Sequence, residues 1–339
     1  MQPRRSPISN QQLKSLFLTV LFIGSVVFSA YVFPKLAIRP SKGAFPRIQY
    51  MASFEVPSSP DFYFAHSRQS ELSQSIMFHD LDDSMKNAAK ADIIFIGDSR
   101  LPLGLREEFL VPRANEVGVR LFSFGFGHVE KAKFGLALIK KFDLKPKIVV
   151  VVGGPFVFQD SYSVIGEQAI RMSRWDAMKR WFEAASWWNI KLRWHSVMPK
   201  IEFFDNRLHA SHVHYRSSIT GWWKTVLEPN RQGEIKFKPE AKNYEKYLPM
   251  ATEFKQKMDE IGALLIVSVV PYNQTQTGHL PYLKEHLGVT TLLPSFKDMR
   301  LSDGSHLNRE SARVYSERFW DLFIAHPDVR KRLSLDTNQ

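Results

Sequence analysis

Five short apolar runs, alternating with helical stretches, govern what this chain can fold into. They are Asp92–Gly97 (DIIFIG), Val119–Phe124 (VRLFSF), Lys147–Val152 (KIVVVV), Ala263–Val270 (ALLIVSVV) and Val289–Leu293 (VTTLL). Each is bounded by polar residues, as a strand buried on both faces should be. Helical patterns lie over His128–Phe142, Tyr244–Ile261, Pro281–Leu287 and Arg309–Ala325. This alternation predicts an α/β unit with a parallel sheet covered by helices on both faces. In such a sheet the functional groups lie beyond the carboxyl ends of the strands. The chain has 339 residues, 44% of them apolar, enough to bury a core of that size.

The remainder divides into segments. Ser15–Pro34 (SLFLTVLFIGSVVFSAYVFP) carries no charge and has the length of a helix spanning a bilayer core of about 30 Å. It is longer than the core of a cleaved signal peptide, and Phe28 spoils a small-x-small cleavage pattern before Ala30. We therefore expect a tail over 1–14 and an uncleaved transmembrane anchor over 15–35. The prolines at 34, 40, 46, 57 and 60 predict an extended juxtamembrane connector over 36–90, with a helix over Ser70–Ala89. The main domain is expected over 91–330. Lys and Arg flank the anchor on both sides, so charge does not set its orientation.

One stretch breaks the alternation. Phe156–Pro239 has no clear strand run and holds Trp175, Trp181, Trp187, Trp188, Trp194, Trp222 and Trp223. It predicts a mostly helical, tryptophan-rich insertion or cap over about 156–240. Residues 161–250 contain 15 Lys and Arg against 9 Asp and Glu, half of the chain's net charge of +12. Around Trp175 and Trp181, basic residues interleave with aromatic ones. That composition suits an interfacial membrane helix, a sugar-stacking surface or a packed cap with a charged outer side.

Several function classes are excluded or disfavoured. Cysteine is absent, which removes disulfide scaffolds, thiolate metal sites and a cysteine nucleophile. The basic residues are dispersed and no nucleic-acid-binding signature is present, so no nucleic-acid partner is expected. Gly125-Phe126-Gly127 has Glu130 where a dinucleotide fingerprint needs glycine, and no cofactor is expected. His209, His212 and His214 have no obvious acidic partner and read as a loop rather than a metal site.

The chemistry is carried by two short motifs. Gly97-Asp98-Ser99-Arg100 closes the first strand, where a serine before a helix can use the helix start to stabilise developing negative charge. Serine needs a base. Asp303-Gly304-Ser305-His306 enters the last helix, and its spacing can set the carboxylate on one imidazole nitrogen while the other faces Ser99. The roles are those of a Ser-His-Asp triad in the chain order Ser, Asp, His. Leu101 excludes the nucleophile elbow of the α/β-hydrolases, which needs glycine there. Separately, each motif is also compatible with a turn or a helix cap.

Together, Ile94-Phe95-Ile96-Gly97-Asp98-Ser99-Arg100 and Asp303-x-x-His306-Leu307 resemble the first and last blocks of the SGNH/GDSL hydrolase superfamily. The resemblance covers about 91–325, less the insertion. It implies a flavodoxin-like three-layer fold and ester chemistry through an acyl-serine, with Ser99, Asp303 and His306 catalytic. It also implies an oxyanion hole formed by the amides of Ser99 and Gly127, with Gly127 preferred to Gly125. The third block of that superfamily, G-x-N-D, is replaced by Gly153-Gly154-Pro155-Phe156, so its asparagine is missing. Arg100, Gly154, Asn273, Trp175 and Trp181 are the candidate substrate contacts.

An anchor followed by such a domain is similar to envelope acyl-transfer proteins of the D-alanyl-transfer and alginate O-acetylation type. That layout implies a single-pass inner-membrane protein with its active domain periplasmic or extracellular. It further implies an envelope glycan, an acyl donor and a membrane-bound O-acyltransferase partner. The alternative is a non-catalytic protein on the same scaffold that binds glycan or such a partner during polysaccharide assembly.

Overall fold

The computed structural model describes residues 15, 17–25, 61–67, 70–127, 130–197, 214–225, 233–235 and 243–335. Residues 17–25 are helical with exposed apolar side chains, Phe22 among them. Among the described residues no helix is long and apolar enough to cross a membrane. Residues 16 and 26–34, the rest of the apolar segment, lie outside the described ones, as do His209 and His212.

In chain order the strands are β1 (Phe62–Ser67), β2 (Ser70–Glu71), β3 (Ile93–Gly97), β4 (Leu121–Gly125), β5 (Ile148–Val152), β6 (His214–Ser217), β7 (Trp223–Thr225), β8 (Gly233–Glu234), β9 (Leu264–Ser268), β10 (Thr290–Leu292) and β11 (Arg300–Leu301). The main sheet is five-stranded and parallel, in the order β10-β9-β5-β3-β4. Counting only its own strands, the order is 2-1-3-4-5, the doubly wound arrangement with a switch point between the first and third.

The apolar runs form these strands because both faces of each are covered. Ile94 and Ile96 enter one core with Phe122, Val149 and Val267, beneath the helices Ala132–Lys141 and Leu248–Glu260. Ile93 and Phe95 enter the other with Val150 and Ile266, beneath Glu107–Glu116 and Arg309–Ala325.

The stretch read as a connector contributes, from residue 61, to the folded unit. β1 and β2 join β6 and β7 in a second, antiparallel sheet of order β2-β1-β6-β7. Among its described residues, the insertion is helical over Val164–Arg171 and Arg174–Val197, while its described second half carries the strands β6, β7 and β8. The continuous helix expected over Ser70–Ala89 is also absent: two short helices, Ser73–Phe78 and Met85–Ala88, flank a turn in which Asp80 and Asp83 take left-handed φ of 47° and 59°. Left-handed backbone cannot continue a right-handed helix.

The two sheets meet at β4. The Ser123 amide donates to the Thr220 carbonyl at 2.8 Å, so the β6–β7 turn partners the outer edge of the main sheet. Gly221 sits in that turn at φ 72°, and a side chain on it would overlap the Ser123 carbonyl. Arg216, wholly buried on β6, donates to the carbonyls of Ser123 at 2.8 Å and Gly125 at 2.9 Å.

Candidate active site

The carboxyl edge of the main sheet is level. Gly97 pairs with Gly125 on β4 and with Val152 on β5, and Val152 pairs with Ser268 on β9. Two residues beyond this line stand Ser99, Gly127 and Gly154. The chain turns from β3 toward one core through Leu101 and from β5 toward the opposite core through Val157 and Phe158. This divergence opens the crevice at the switch point. Gly97 allows the close approach: a Cβ there would stand 2.5 Å from the Val152 carbonyl oxygen and 3.1 Å from Leu101 Cβ.

Ser99 precedes the short helix Arg100–Gly104 and is half-buried. Its Oγ lies 2.9 Å from His306 Nε2. His306 Nδ1 lies 2.8 Å from Asp303 Oδ2. A carboxylate only accepts, so Nδ1 carries the proton and Nε2 is left to accept from the serine hydroxyl. The structure thus brings the three residues together, with the imidazole between the other two.

The loop holding the acid and base is built locally. The Leu301–Leu307 bridge closes it, and the Ser302 amide donates to the His306 carbonyl at 2.8 Å. Gly304 makes the turn at φ 88°. Asp303 Oδ1 accepts from the amides of Ser305 and His306, both at 2.9 Å. Partial burial pushes the Asp303 carboxyl up, but His306 and the two amides outweigh it and hold its pKa at about 2. Asp303 is therefore a carboxylate throughout the neutral range. The cap of the last helix is Asn308, whose side chain accepts from the Ser311 amide at 2.8 Å.

Gly127 lies against Glu71, whose Oε2 fills the space a side chain would need. The buried Asp98 holds Arg100 through its main-chain amide at 2.9 Å and through Nε and Nη2. The Arg100 guanidinium lies over the rings of Tyr272 (4.2 Å from Cζ to centroid) and Phe156 (4.7 Å). Burial disfavours its charge, yet Asp98 and then Tyr272 outweigh burial and raise its pKa. Lys131 Nζ also lies over Phe156, at 5.0 Å. Asn273 is exposed, and its amide donates to the Gly304 carbonyl at 3.0 Å, tying its loop to that of the base.

The two tryptophan candidates separate. Trp175 is 67% exposed. Trp181 is buried, with its indole N–H on the Phe64 carbonyl at 3.2 Å and its ring edge-on to Tyr63, so it packs helix Arg174–Val197 onto β1. Trp222 and Trp223 are buried too; Trp223 stacks on His214 at 4.6 Å. Among the described residues no group of three or more His, Asp or Glu is arranged to hold a metal.

Sequence reasoning did not single out Tyr272, Phe156, Glu71 or Arg216. Tyr272 and Phe156 had a signal: each follows a strand of the main sheet by a few residues, on the edge where sites form. Glu71 and Arg216 had none, because both come from the second sheet. Comparison with protein-family models, with curated proteins and with solved structures gives no match.

Proposed function

We propose that the protein is a membrane-anchored serine esterase or O-acyltransferase of the SGNH type, acting on cell-envelope or extracellular polysaccharide. The observation that carries this reading is the line from Ser99 Oγ through His306, 2.9 Å on one side and 2.8 Å to Asp303 on the other. Ser99 Oγ adds to the acyl carbon of the donor ester as its proton passes to His306 Nε2. The carbonyl oxygen takes up the negative charge, facing the amides of Ser99 and Gly127. Collapse expels the donor alkoxide, which takes the proton from His306. Water or a sugar hydroxyl then loses its proton to His306 and attacks the acyl-serine, restoring the enzyme. Asp303 holds the imidazole in the tautomer this needs and stabilises its protonated form.

The uncharged segment 15–34 supports the anchor, and the net charge of +12 suits an acidic polymer or membrane surface. The active domain faces away from the cytoplasm, next to a membrane-bound acyltransferase that supplies the acyl group. The replacement of G-x-N-D by Gly-Gly-Pro-Phe favours a second reading, a non-catalytic scaffold that binds glycan or partner.

Labelling of the purified chain with a fluorophosphonate probe separates the two. Labelling of the wild type but not of Ser99→Ala supports the enzyme. No labelling of either selects the scaffold.

A further inference from the structure

Tyr272 stands in the crevice at a position the triad does not use. Its hydroxyl lies 2.9 Å from the place a Cβ would take on Gly154. Gly154 and Ser99 are each two residues beyond the paired positions Val152 and Gly97, on parallel strands about 4.8 Å apart. The hydroxyl thus lies along the crevice on the β5 side of Ser99, opposite Gly127 on the β4 side. Three contacts fix it there. The Tyr272 amide donates to Thr275 Oγ1 at 2.7 Å, the neighbouring Asn273 amide holds the His306 loop, and Arg100 lies over the ring. Arg100 has donors only. Toward Arg100 the Tyr272 oxygen can only accept, so its phenolic hydrogen stays available to another acceptor.

We propose that Tyr272 is a further catalytic residue of this site, its Oη–H donating a hydrogen bond to the acyl oxygen as Ser99 adds to the carbon. The inference rests on the ester chemistry proposed above. As the Ser99 Oγ–carbon bond forms, the carbonyl π pair moves onto oxygen and the serine proton moves to His306. The phenol keeps its own proton and stabilises the new negative charge. Arg100, paired with Asp98 and stacked on the ring, is a positioning residue for it.

The test is hydrolysis of p-nitrophenyl acetate by the purified full-length chain, beside fluorophosphonate labelling. Tyr272→Phe keeps the ring under Arg100 and removes only the hydroxyl. It should lower kcat by about 10²–10³-fold, the effect of removing one oxyanion donor, with KM and the thermal midpoint unchanged. Gly154→Ala should lower kcat comparably by displacing the hydroxyl, since φ of −70° at Gly154 admits alanine. A fully active wild type with an equally active Tyr272→Phe overturns the role of Tyr272 and leaves the triad standing. A wild type that neither labels nor hydrolyses overturns both.

Discussion

Arg216 donates from Nη1 to the carbonyl oxygen of Gly125 at 2.9 Å, across the joint between the two sheets. A second donor of the same guanidinium takes Ser123, so one buried fork holds the end of β4. That strand end leads within two residues to Gly127. The second sheet therefore does more than fill the insertion; it sets the position of one wall of the site.

Arg216→Met should cost on the order of 3–5 kcal/mol of stability, because two buried carbonyls lose charge-assisted partners. Arg216→Lys should cost less, keeping the charge but not the fork. Urea unfolding measures both. A methionine variant as stable as the wild type would remove Arg216 from the joint.

The contrast between the two sheets explains what was legible in the sequence. β3, β5 and β9 are runs such as IVVVV, buried on both faces, and their apolar character is local information. β6 is His-Tyr-Arg-Ser and β7 Trp-Lys-Thr, short and polar, with Arg216 at the centre. The partner of β6, β1, lies about 150 residues earlier, just after a proline-rich stretch, and the pairing is written in no local pattern. Ser99, Asp303 and His306 were legible because their motifs combine residue type with position at a strand end or helix start. Tyr272 was marked only by its place just beyond a strand of the main sheet; its approach to Gly154, beyond the end of β5, comes from the fold and from no local pattern.

Asp303 makes the site sensitive to acid. The folded state holds its pKa near 2, below the ordinary 3.8, so its stabilising contribution is complete above about pH 4 and is lost as pH falls toward 2. Because the carboxylate is about a third exposed, solvent screening limits this to about 1 kcal/mol. Asp303→Asn should flatten that dependence. It should also lower kcat by on the order of 10³–10⁴, by permitting the wrong imidazole tautomer. Near wild-type turnover in this variant would exclude Asp303 as the orienting acid.

Asp82 carries the opposite sign. Its Oδ1 accepts from the Ser84 hydroxyl at 2.8 Å, while Oδ2 is buried. Burial, with Asp80 adding to it, pushes the pKa from 3.8 up to about 6. The folded state thus holds the proton more tightly than the unfolded one. The resulting stability is complete below about pH 4 and is lost as pH rises through about 6. Asp82→Asn should be more stable than the wild type by about 1–2 kcal/mol at pH 8 and equal to it near pH 4. Denaturation at the two pH values checks this, and a gain of the same size at both would refute it.

Trp175 and Trp181, six residues apart on one helix, should respond in opposite ways. Trp181→Ala removes a buried indole, its bond to the Phe64 carbonyl and its edge contact with Tyr63, and should cost about 3–5 kcal/mol. Trp175→Ala removes an exposed ring and should change stability by less than about 0.5 kcal/mol. If the basic helix meets substrate or lipid, Trp175→Ala should weaken co-sedimentation of the chain with an acidic polysaccharide or with phosphatidylglycerol vesicles. Ser99 labelling should stay intact, because Trp175 takes no part in the triad. Unchanged binding to both would leave Trp175 an exposed aromatic without a partner in this helix, and the charge around it a solvated face.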